Sequence, residues 1–557
     1  MRTITLAGAV VMLAACGSGP SLTERTTGFV PNQGGSGGGG GDSGSPPQPC
    51  TVRTECPSSY TCEGGFCVPP EQEVDRSLSE SPPVASPRYV YALNPTAASV
   101  ARIEPASLAI EAIPVGAGPV AIAALPGEDA AVVLSYDDAS LSVVDSTTLP
   151  SRVIRVPLRR QFTHLAVSPD GAFAIAWPDP TKTPSAGAEG IVTVIDLTGV
   201  RANRPAAEVL FERAVGYRVT DVVFRVEAKT ATRAHVFAKS TVATIDLNGL
   251  TQVSLPSRLD LPPSMSADVS SREVVATADG LRMVLRSTIA AELAYFDGSS
   301  LTVVALPEVA TDVDLLSDGS AAVAALRTAK AIAFIELPAD IADPAGIEQF
   351  STGGAAVGQV VLPPAGSASA FALIFSNVGD DESFARVDLP SGNVQVYRLE
   401  KWVEEISISP DGRSAIVIHR PNPASTATDP YERAVDTDHG YTLLDITTGY
   451  SQLKRTGKVR PARYAYSPVG GFAGVALRDD ATRTFALEAV NLLSLVAVSL
   501  PLSSAPLFMG TVPQAPGISP HRVFVSQTHS AGRISVVQLD SAQVRTVTGF
   551  TLNAEIE

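Results

Sequence analysis

The residues best suited to chemistry lie in a few polar segments that interrupt an otherwise apolar chain. Carboxylates in such segments can offer hard oxygen ligands or act as general acids and bases, and histidines can bind a metal or carry a proton. The candidate residues are Asp137, Asp138, Asp179, Asp380, Asp381, Glu382, His419, Arg420, Asp436, Asp438, His439, Arg478, Asp479, Asp480 and His529. We predict that they form a binding surface. The alternative is an ordinary solvated rim.

No pattern among these residues selects one reaction. The runs DDES at 380–383 and DTDH at 436–439 offer oxygen atoms to calcium, but neither matches an EF-hand loop. The six histidines form no HExxH or CxxCH motif, and no GxSxG elbow occurs between residues 88 and 557. Acid pairs for glycoside hydrolysis can be drawn from several segments, but no spacing favours one pair. We therefore predict no catalytic residue, metal or cofactor.

The composition restricts the classes of partner. The 557 residues carry a net charge of −16, and only 18% of them are charged. Nucleic-acid binding needs a basic footprint that neutralises phosphates, so we predict no nucleic-acid partner. After residue 16, no apolar run is long enough for a transmembrane helix.

A repeat reveals the elements that must position the polar segments. Alternating apolar runs end in an acid or amide followed by a turn, as in IVTVIDLTG at residues 191–199. Ten such residues recur at intervals of 39 to 57 positions: Glu104, Asp145, Asp196, Asp246, Asp297, Glu336, Asp388, Asp445, Asn491 and Gln538. Because Asp and Asn side chains bond to nearby backbone amides, we predict that these residues form turns rather than a distributed metal site.

The period and the four apolar runs in each unit are typical of propeller blades. A small sheet cannot bury its apolar face alone, so neighbouring sheets must pack against it. We predict an all-β fold, a β-propeller of four-stranded antiparallel blades over residues 88–557, preceded by a small disulfide-rich knot. Ten units are visible, and seven to ten blades in one ring, or two smaller rings, remain open alternatives. Unit one shows three strands, which suggests that residues 551–557 supply the fourth.

A second recurring motif marks the turn after the first strand of a unit. Ser-Pro-Asp-Gly occurs at 168–171 and 409–412, with degenerate copies at 317–319 and 467–470. Pro at the second position and Gly at the fourth favour a type I turn. With these motifs, the region from Arg88 to Glu557 resembles the YVTN and WD40-like β-propellers of bacterial cell-surface and periplasmic proteins. The resemblance implies the fold and says almost nothing about activity.

Propeller geometry then assigns the candidate residues to one face. Turns after the first and third strands face one way, and loops after the second and fourth strands face the other. The candidates fall in loops between second and third strands, so we predict that they crowd the face opposite the Ser-Pro-Asp-Gly turns.

The amino terminus, MRTITLAGAVVMLAAC, has the anatomy of an export signal, with a basic start and a short apolar core. Residues 13–16, LAAC, resemble the bacterial lipobox. This resemblance implies a signal peptide over residues 1–15 and lipidation of Cys16, which would anchor the chain to a membrane of the cell envelope. Gly17 is compatible with export to the outer membrane, and the orientation there stays open. The alternative is an ordinary signal peptide.

Two linkers flank a cysteine-rich segment. Residues 16–48, rich in Gly, Ser and Pro, predict a flexible tether, and residues 71–87 predict a second linker. Residues 49–70 contain four cysteines: Cys50, Cys56, Cys62 and Cys67. In an exported chain they predict two disulfides with three possible pairings. A zinc site is the alternative, but it usually has gaps of about two to four residues, whereas the gaps here are five, five and four. The segment resembles the short EGF-like knots that follow lipobox linkers in some bacterial surface proteins.

These features together predict a membrane-anchored cell-envelope lipoprotein whose propeller is a binding or scaffold module for a protein or glycan partner. Some related propellers are enzymes, so the alternative is a lactonase-like hydrolase or a cofactor-dependent oxidoreductase with its site at the channel mouth. A binding scaffold is expected to place exposed aromatic and charged side chains on the rim of the loops.

Overall fold

The computed structural model describes residues 61–63, 66–68, 82–179, 190–367, 369–513, 519–529 and 532–549. These residues form ten four-stranded antiparallel sheets and one two-stranded hairpin. In every four-stranded sheet the strands lie side by side in chain order. The prediction of an all-β chain with four-stranded antiparallel blades is confirmed.

The hairpin of β1 (Thr61–Glu63) and β2 (Phe66–Val68) lies in the cysteine-rich segment. Its register places Cys62 opposite Cys67. Cys16, Cys50 and Cys56 lie outside the described residues, as do the signal peptide and the first linker. The lipidation and the disulfides therefore remain predictions.

Blades 1 to 5 each contain four consecutive strands. Blade 1 has β3 (Val84–Ala85), β4 (Val90–Asn94), β5 (Ser99–Ile103) and β6 (Ile110–Pro114). Blade 2 has β7 (Pro119–Ala124), β8 (Ala130–Ser135), β9 (Ser140–Asp145) and β10 (Arg152–Pro157). Blade 3 has β11 (His164–Val167), β12 (Phe173–Trp177), β13 (Ile191–Asp196) and β14 (Leu210–Ala214). Blade 4 has β15 (Val219–Glu227), β16 (Thr230–Ala238), β17 (Thr241–Asp246) and β18 (Ser257–Asp260). Blade 5 has β19 (Arg272–Ala276), β20 (Met283–Ser287), β21 (Glu292–Phe296) and β22 (Leu301–Ala305).

Blades 6 to 10 repeat the arrangement. Blade 6 has β23 (Asp312–Leu315), β24 (Ala321–Leu326), β25 (Ala331–Glu336) and β26 (Glu348–Ser351). Blade 7 has β27 (Gln359–Val361), β28 (Phe371–Phe375), β29 (Ser383–Asp388) and β30 (Val394–Arg398). Blade 8 has β31 (Trp402–Ile408), β32 (Ser414–Arg420), β33 (His439–Asp445) and β34 (Ser451–Gly457). Blade 9 has β35 (Arg460–Tyr466), β36 (Phe472–Asp479), β37 (Thr484–Asn491) and β38 (Val496–Pro501). Blade 10 has β39 (Pro506–Thr511), β40 (Arg522–Gln527), β41 (Arg533–Gln538) and β42 (Gln543–Thr548).

Short helices occur only in connections within the described part of the chain. The α-helices are α1 (Leu197–Arg201), α2 (Ala206–Val209), α3 (Pro263–Ser266), α4 (Ala339–Ala342) and α5 (Pro430–Thr437). Two 3₁₀ turns cover Val269–Ser271 and Pro344–Gly346. Among these described helices, none has the length and apolar character needed to cross a bilayer.

The core of the described region consists of ten apolar clusters, each packed between two consecutive blades. One of them closes the circle, because Val512, Phe524 and Ile534 of blade 10 pack with Val90 and Ile103 of blade 1. Sheets that bury their faces only against neighbours in this way form one continuous ring. The blade count is therefore ten, and the alternative of two smaller rings is wrong.

Blade 1 contains its own first strand. In β3, Val84 pairs with Tyr91 and Ala85 with Val90, so the sheet begins before the predicted boundary at Arg88. The expectation that residues 551–557 fill this position is wrong, because β3 already occupies it; those residues lie outside the described set. A two-residue strand is too short to show alternation in a proline-rich sequence.

The predicted turn residues form turns. In the first Ser-Pro-Asp-Gly phrase, the Gly171 amide donates to the Ser168 carbonyl oxygen at 2.8 Å, and Gly171 has a φ of +68°. Glycine adopts this left-handed conformation without steric cost. The closing acids act similarly: Asp297 accepts hydrogen bonds from the backbone and side chains of Ser299 and Ser300. Burial alone would raise the pKa of Asp297, but these bonds outweigh it and lower the pKa to about 2.

Candidate functional site

The two ends of the ring differ in their connections. We call the end with the second-to-third-strand loops and the links between blades the loop face, and the opposite end the turn face. Every candidate residue predicted above lies in a segment at the loop face. Blade 2 contributes Asp137 and Asp138, blade 3 contributes Asp179, and blade 10 contributes His529. The other candidates come from blades 7, 8 and 9, which are neighbours in the ring.

The structure gathers the candidates of blades 7 and 8 around Lys401, a residue that sequence reasoning missed. Lys401 lies in the link between these blades and is only 2% exposed. Its Nζ donates to the carbonyl oxygens of Val435 and Asp436 at the end of α5. Burial lowers the pKa of Lys401, while the charges of Asp436, Asp438 and Glu382 oppose that shift. A buried ammonium is stable there because carbonyls and carboxylates surround it.

Helix α5 gives the longest loop of the chain a defined shape. The Asp429 carboxylate caps its first turn by accepting from the amides of Tyr431 at 2.8 Å and Glu432 at 3.0 Å. Pro430 occupies the first helical position, where its missing N–H costs nothing. At the carboxyl-terminal end of α5, the Lys401 ammonium donates to two of the last carbonyl oxygens. The segment between His419 and Tyr441, which we call the blade 8 platform, therefore has a defined structure rather than that of an open loop.

Two candidate acids hold loops to the ring. The Asp381 carboxylate accepts from the Ala356 amide at 2.7 Å and from the Ser383 hydroxyl at 2.8 Å. Asp138 of blade 2 has the same arrangement, with bonds from the amide of residue 117 at 2.8 Å and the hydroxyl of residue 140 at 2.7 Å. Asp138 also forms an ion pair with Arg155. Each acid fastens its loop to the preceding link between blades.

The acids beside these anchors point outward. Asp380 and Glu382 are exposed on either side of Asp381. Partial desolvation of its carboxyl group by the surrounding loops raises the pKa of Glu382, and the neighbouring charge of Asp436 raises it further. The blade 7 and blade 8 loops therefore present an acidic surface next to Lys401.

His419, a predicted candidate of the loop face, does not belong to the accessible surface. It is 1% exposed at the end of β32. Its Nε2 lies 2.7 Å from the Thr442 hydroxyl, and its Nδ1 lies 3.2 Å from the Trp402 carbonyl oxygen. Burial lowers the pKa of His419 to about 3, so the imidazole is neutral at physiological pH. Its role is to hold three strands of blade 8 together.

Arg420, the next residue, links two loops. Its guanidinium lies 5.5 Å from the ring centre of Trp402 and donates to the carbonyl oxygen of Gly379 in blade 7. A cation above an aromatic face is stabilised by the ring quadrupole. Arg420 thus joins the blade 7 loop to the base of the blade 8 loop.

The candidates near blade 9 form local pairs. Arg478 bonds to Asp480 at 2.8 Å. The Asp479 carboxylate accepts from the Thr482 hydroxyl and from nearby backbone amides, and these hydrogen bonds lower the pKa of Asp479. Asp438 lies 3.9 Å from both Arg455 and Lys458. Burial lowers the pKa of His439, as does the charge of Arg460.

The loop face also carries aromatic side chains. Four tyrosines of the described residues are exposed, by 36% to 64%, and three lie on the loop face: Tyr136, Tyr217 and Tyr431. Tyr450, the other one, lies on the turn face. None of these tyrosines is among the candidates predicted from the sequence, although the place of Tyr217 in the short link between β14 and β15 is a usable signal. Exposed aromatics on ordered loops are suited to contacts with protein or sugar surfaces.

Within the described ranges, no group of three or more His, Cys, Asp or Glu side chains is arranged to hold a metal ion. The loop face presents aromatic rings, exposed acids and a few paired bases. The fold and this surface define the chain as a ten-bladed β-propeller.

No protein-family model matches the chain, and no curated protein is similar to it. Solved structures similar to it include the Kuenenia stuttgartiensis hydrazine synthase, at 13% identity and a TM-score of 0.33 over 57% of this chain and 92% of that one. The dihydro-heme d1 dehydrogenase NirN in complex with DHE has 13% identity and a TM-score of 0.37 over 82% and 81% of the two chains. A eukaryotic initiation factor has 14% identity and a TM-score of 0.43 over 70% and 90%. At these values the likenesses carry no argument about activity.

Proposed function

We propose that this protein is a lipid-anchored lipoprotein of the cell envelope whose propeller binds a protein or glycan partner through its loop face. The observation that supports the binding role is that three of the four exposed tyrosines of the described residues lie there. Tyr136, Tyr217 and Tyr431 project from loops whose backbones are fixed by Asp138, Lys401 and the packed blades. Ordered loops lose little conformational entropy on binding, so such a surface can use its aromatic contacts efficiently.

The charge of the surface favours partners with hydrogen-bond donors. Asp380 and Glu382 are exposed beside the blade 8 platform, and Tyr431 lies on that platform. Sugar hydroxyls and protein amides both donate to carboxylates, and both carry apolar faces that stack on aromatic rings.

Aromatic substitutions on the two faces test this role. The triple variant Tyr136→Ser, Tyr217→Ser, Tyr431→Ser removes the rings of the loop face, and Tyr450→Ser removes the matched ring of the turn face. All four side chains are exposed, so neither variant opens the core. Each purified full-length protein is titrated against a glycan array and against detergent-solubilised envelope proteins.

We expect the triple variant to lose about tenfold or more in affinity for the partner found with the unaltered protein, because interface tyrosines often contribute 1–2 kcal/mol each. The Tyr450→Ser protein should bind like the unaltered one. Equal binding by the triple variant would contradict the proposal. Catalytic turnover that is lost on replacing residues 419–441 would favour the enzyme alternative.

The membrane anchor needs a separate test. Its support is the signal anatomy of residues 1–16, with the LAAC sequence before Gly17. Cells given an alkyne fatty acid should label the unaltered protein and not a Cys16→Ser variant. Equal labelling of the two would contradict lipidation at Cys16.

A further inference from the structure

The turn face contains a cleft that lies outside the loop-face surface. It has a volume of about 400 Å³ and lies between blades 3 and 4. Two neighbouring third-to-fourth-strand connections are enlarged at this point. Residues 197–209 of blade 3 form α1 and α2, and residues 247–256 of blade 4 form an extended loop. In blade 5 the same connection has only residues 297–300. A cleft lies between these two adjacent insertions.

The floor of the cleft is apolar. Phe173, Phe211, Leu247 and Leu250 line it, and they continue the cluster packed between blades 3 and 4. Phe211 is buried, whereas Phe173 and Leu250 are partly exposed. The floor can therefore receive an apolar side chain without any rearrangement of the core.

The walls of the cleft are braced. The Gln252 amide donates to the carbonyl oxygens of Ala207 at 2.7 Å and Leu210 at 3.0 Å, joining the two insertions. Arg213, which is 3% exposed, donates to the Ser254 hydroxyl at 2.8 Å and holds the blade 4 loop from below. A cleft held open by such bonds is preformed for a ligand.

The rim carries an excess of negative charge. Asp196 and Glu208 line the cleft with a single cation, Arg204, which lies 3.4 Å and 3.5 Å from them. Both ion pairs are long, and the Glu208 side chain is 57% exposed. Exposed pairs of this kind are weak, so a cation from a partner can compete for Glu208. Asp196 is only 20% exposed and accepts from the Gly199 amide at 2.8 Å, so it adds negative charge without being a free partner.

Apolar surface continues beyond the cleft. Val253 is 84% exposed and Leu255 is 90% exposed, and both follow Gln252 on the blade 4 loop. Adjacent exposed aliphatic side chains beside a concave site are typical of interaction surfaces. Their position indicates an occupant longer than a small molecule, because a ligand confined to the cleft would leave them in water.

We propose that this cleft binds an extended peptide segment of a partner protein, with an apolar side chain adjacent to a basic residue. The apolar side chain fills the space above Phe173 and Phe211, and the basic residue pairs with the exposed carboxylate of Glu208. Neighbouring residues of the segment cover Val253 and Leu255. This site is independent of the loop-face surface, so the protein would join two partners on opposite ends of the ring.

Fluorescent peptides test the proposal on the full-length protein. The probe is a short peptide with a Leu-Arg-Phe-Lys centre between Gly-Ser flanks. One control peptide reverses the charges to Leu-Glu-Phe-Glu, and another replaces the apolar residues to give Ser-Arg-Ser-Lys. We expect saturable fluorescence anisotropy with the probe and at least about tenfold weaker binding of each control. Absence of saturable binding, or equal binding of the three peptides, would overturn the proposal.

Two exposed positions provide variants that leave the core intact. Glu208→Lys reverses a rim charge and should weaken probe binding about fivefold or more. Ala207→Trp places a large ring at the mouth of the cleft and should weaken binding about tenfold or more. Glu348→Lys, a matched exposed change on the outer strand of blade 6, should bind like the unaltered protein. Unchanged affinity in both cleft variants would contradict the assignment.

Hydrogen exchange on the unaltered protein locates the peptide without any substitution. Saturating probe should slow exchange of amides in residues 204–211 and 247–255 relative to the rest of the chain. Protection confined to the loop face would place the peptide at the other surface and overturn this proposal.

Discussion

Acidification should destabilise the ring through two buried histidines. His419 is 1% exposed and His235 is fully buried, and burial lowers their pKa values to about 3 and about 4. In the unfolded chain both imidazoles titrate near pH 6.5. Below that pH the unfolded state therefore binds more protons than the folded state, and stability falls as the pH falls. The loss begins near pH 6.5 and continues until the pH reaches the folded pKa values.

The magnitude follows from these shifts. At pH 5 each histidine has lost about 2 kcal/mol of its contribution to stability, because the unfolded imidazole is protonated about 1.5 pH units below its pKa. The two sites together account for about 4 kcal/mol between pH 7 and pH 5. Carboxylates titrate mostly at lower pH and are common to all variants, so differences between variants isolate the histidines.

The assay is urea unfolding of the full-length protein at pH 7 and pH 5. His419→Gln keeps a polar partner for Thr442 but removes the titrating ring. His529→Gln, on an exposed loop, is the matched control. The unaltered protein and the control should lose the same stability on acidification, and His419→Gln should lose about 2 kcal/mol less. Equal losses in all three proteins would refute the assignment of His419 as a buried neutral group.

Three further substitutions have defined outcomes. Lys401→Met removes the hydrogen bonds from Nζ to the end of α5. Amide hydrogen exchange in α5 should therefore accelerate at least about tenfold, while the other blades keep their protection. Unchanged exchange in α5 would contradict the anchoring role of Lys401. Asp381→Ala should lower the free energy of unfolding, measured in urea, by about 1–3 kcal/mol, because two hydrogen-bond donors lose their acceptor. The control Asp380→Ala, at the exposed neighbouring position, should change this free energy by less than about 0.5 kcal/mol. Equal effects of the two variants would show that the carboxylate of Asp381 is not an anchor. Glu273→Ala leaves the largely buried Arg286 guanidinium, whose side chain is 13% exposed, without the carboxylate that lies 2.7 Å away. This change should cost about 3 kcal/mol of unfolding free energy, and a cost near zero would mean that the pair is solvated.

The repeat, the turns and the face that carries the polar loops were predictable because they depend on local chemistry. Asp297 and Gly171 form their turns with residues two or three positions away, so the sequence alone contains the relevant partners. Strand β3 was missed because two residues carry no periodic signal. The blade count could be settled only by the packing of blade 10 on blade 1.

The composition of the site depended on contacts distant in sequence. Lysine is usually exposed, and the burial of Lys401 follows from the carbonyls of α5, 34 and 35 positions away. His419 lies at the end of β32. Its burial depends on the hydroxyl of Thr442 in the neighbouring strand β33, and that contact is not visible in the sequence. The cleft had a sequence signal, because the segments after Asp196 and Asp246 are longer than most other third-to-fourth-strand turns.

Images of single particles test the ring most directly, and both proposed binding surfaces depend on that ring. Averaged face-on views of the full-length protein by electron cryo-microscopy should show ten radial blades around one central channel, with blade 10 against blade 1. A ring of seven or eight blades with the remaining sheets outside it, or two separate rings, would contradict this structure and the surfaces built on it.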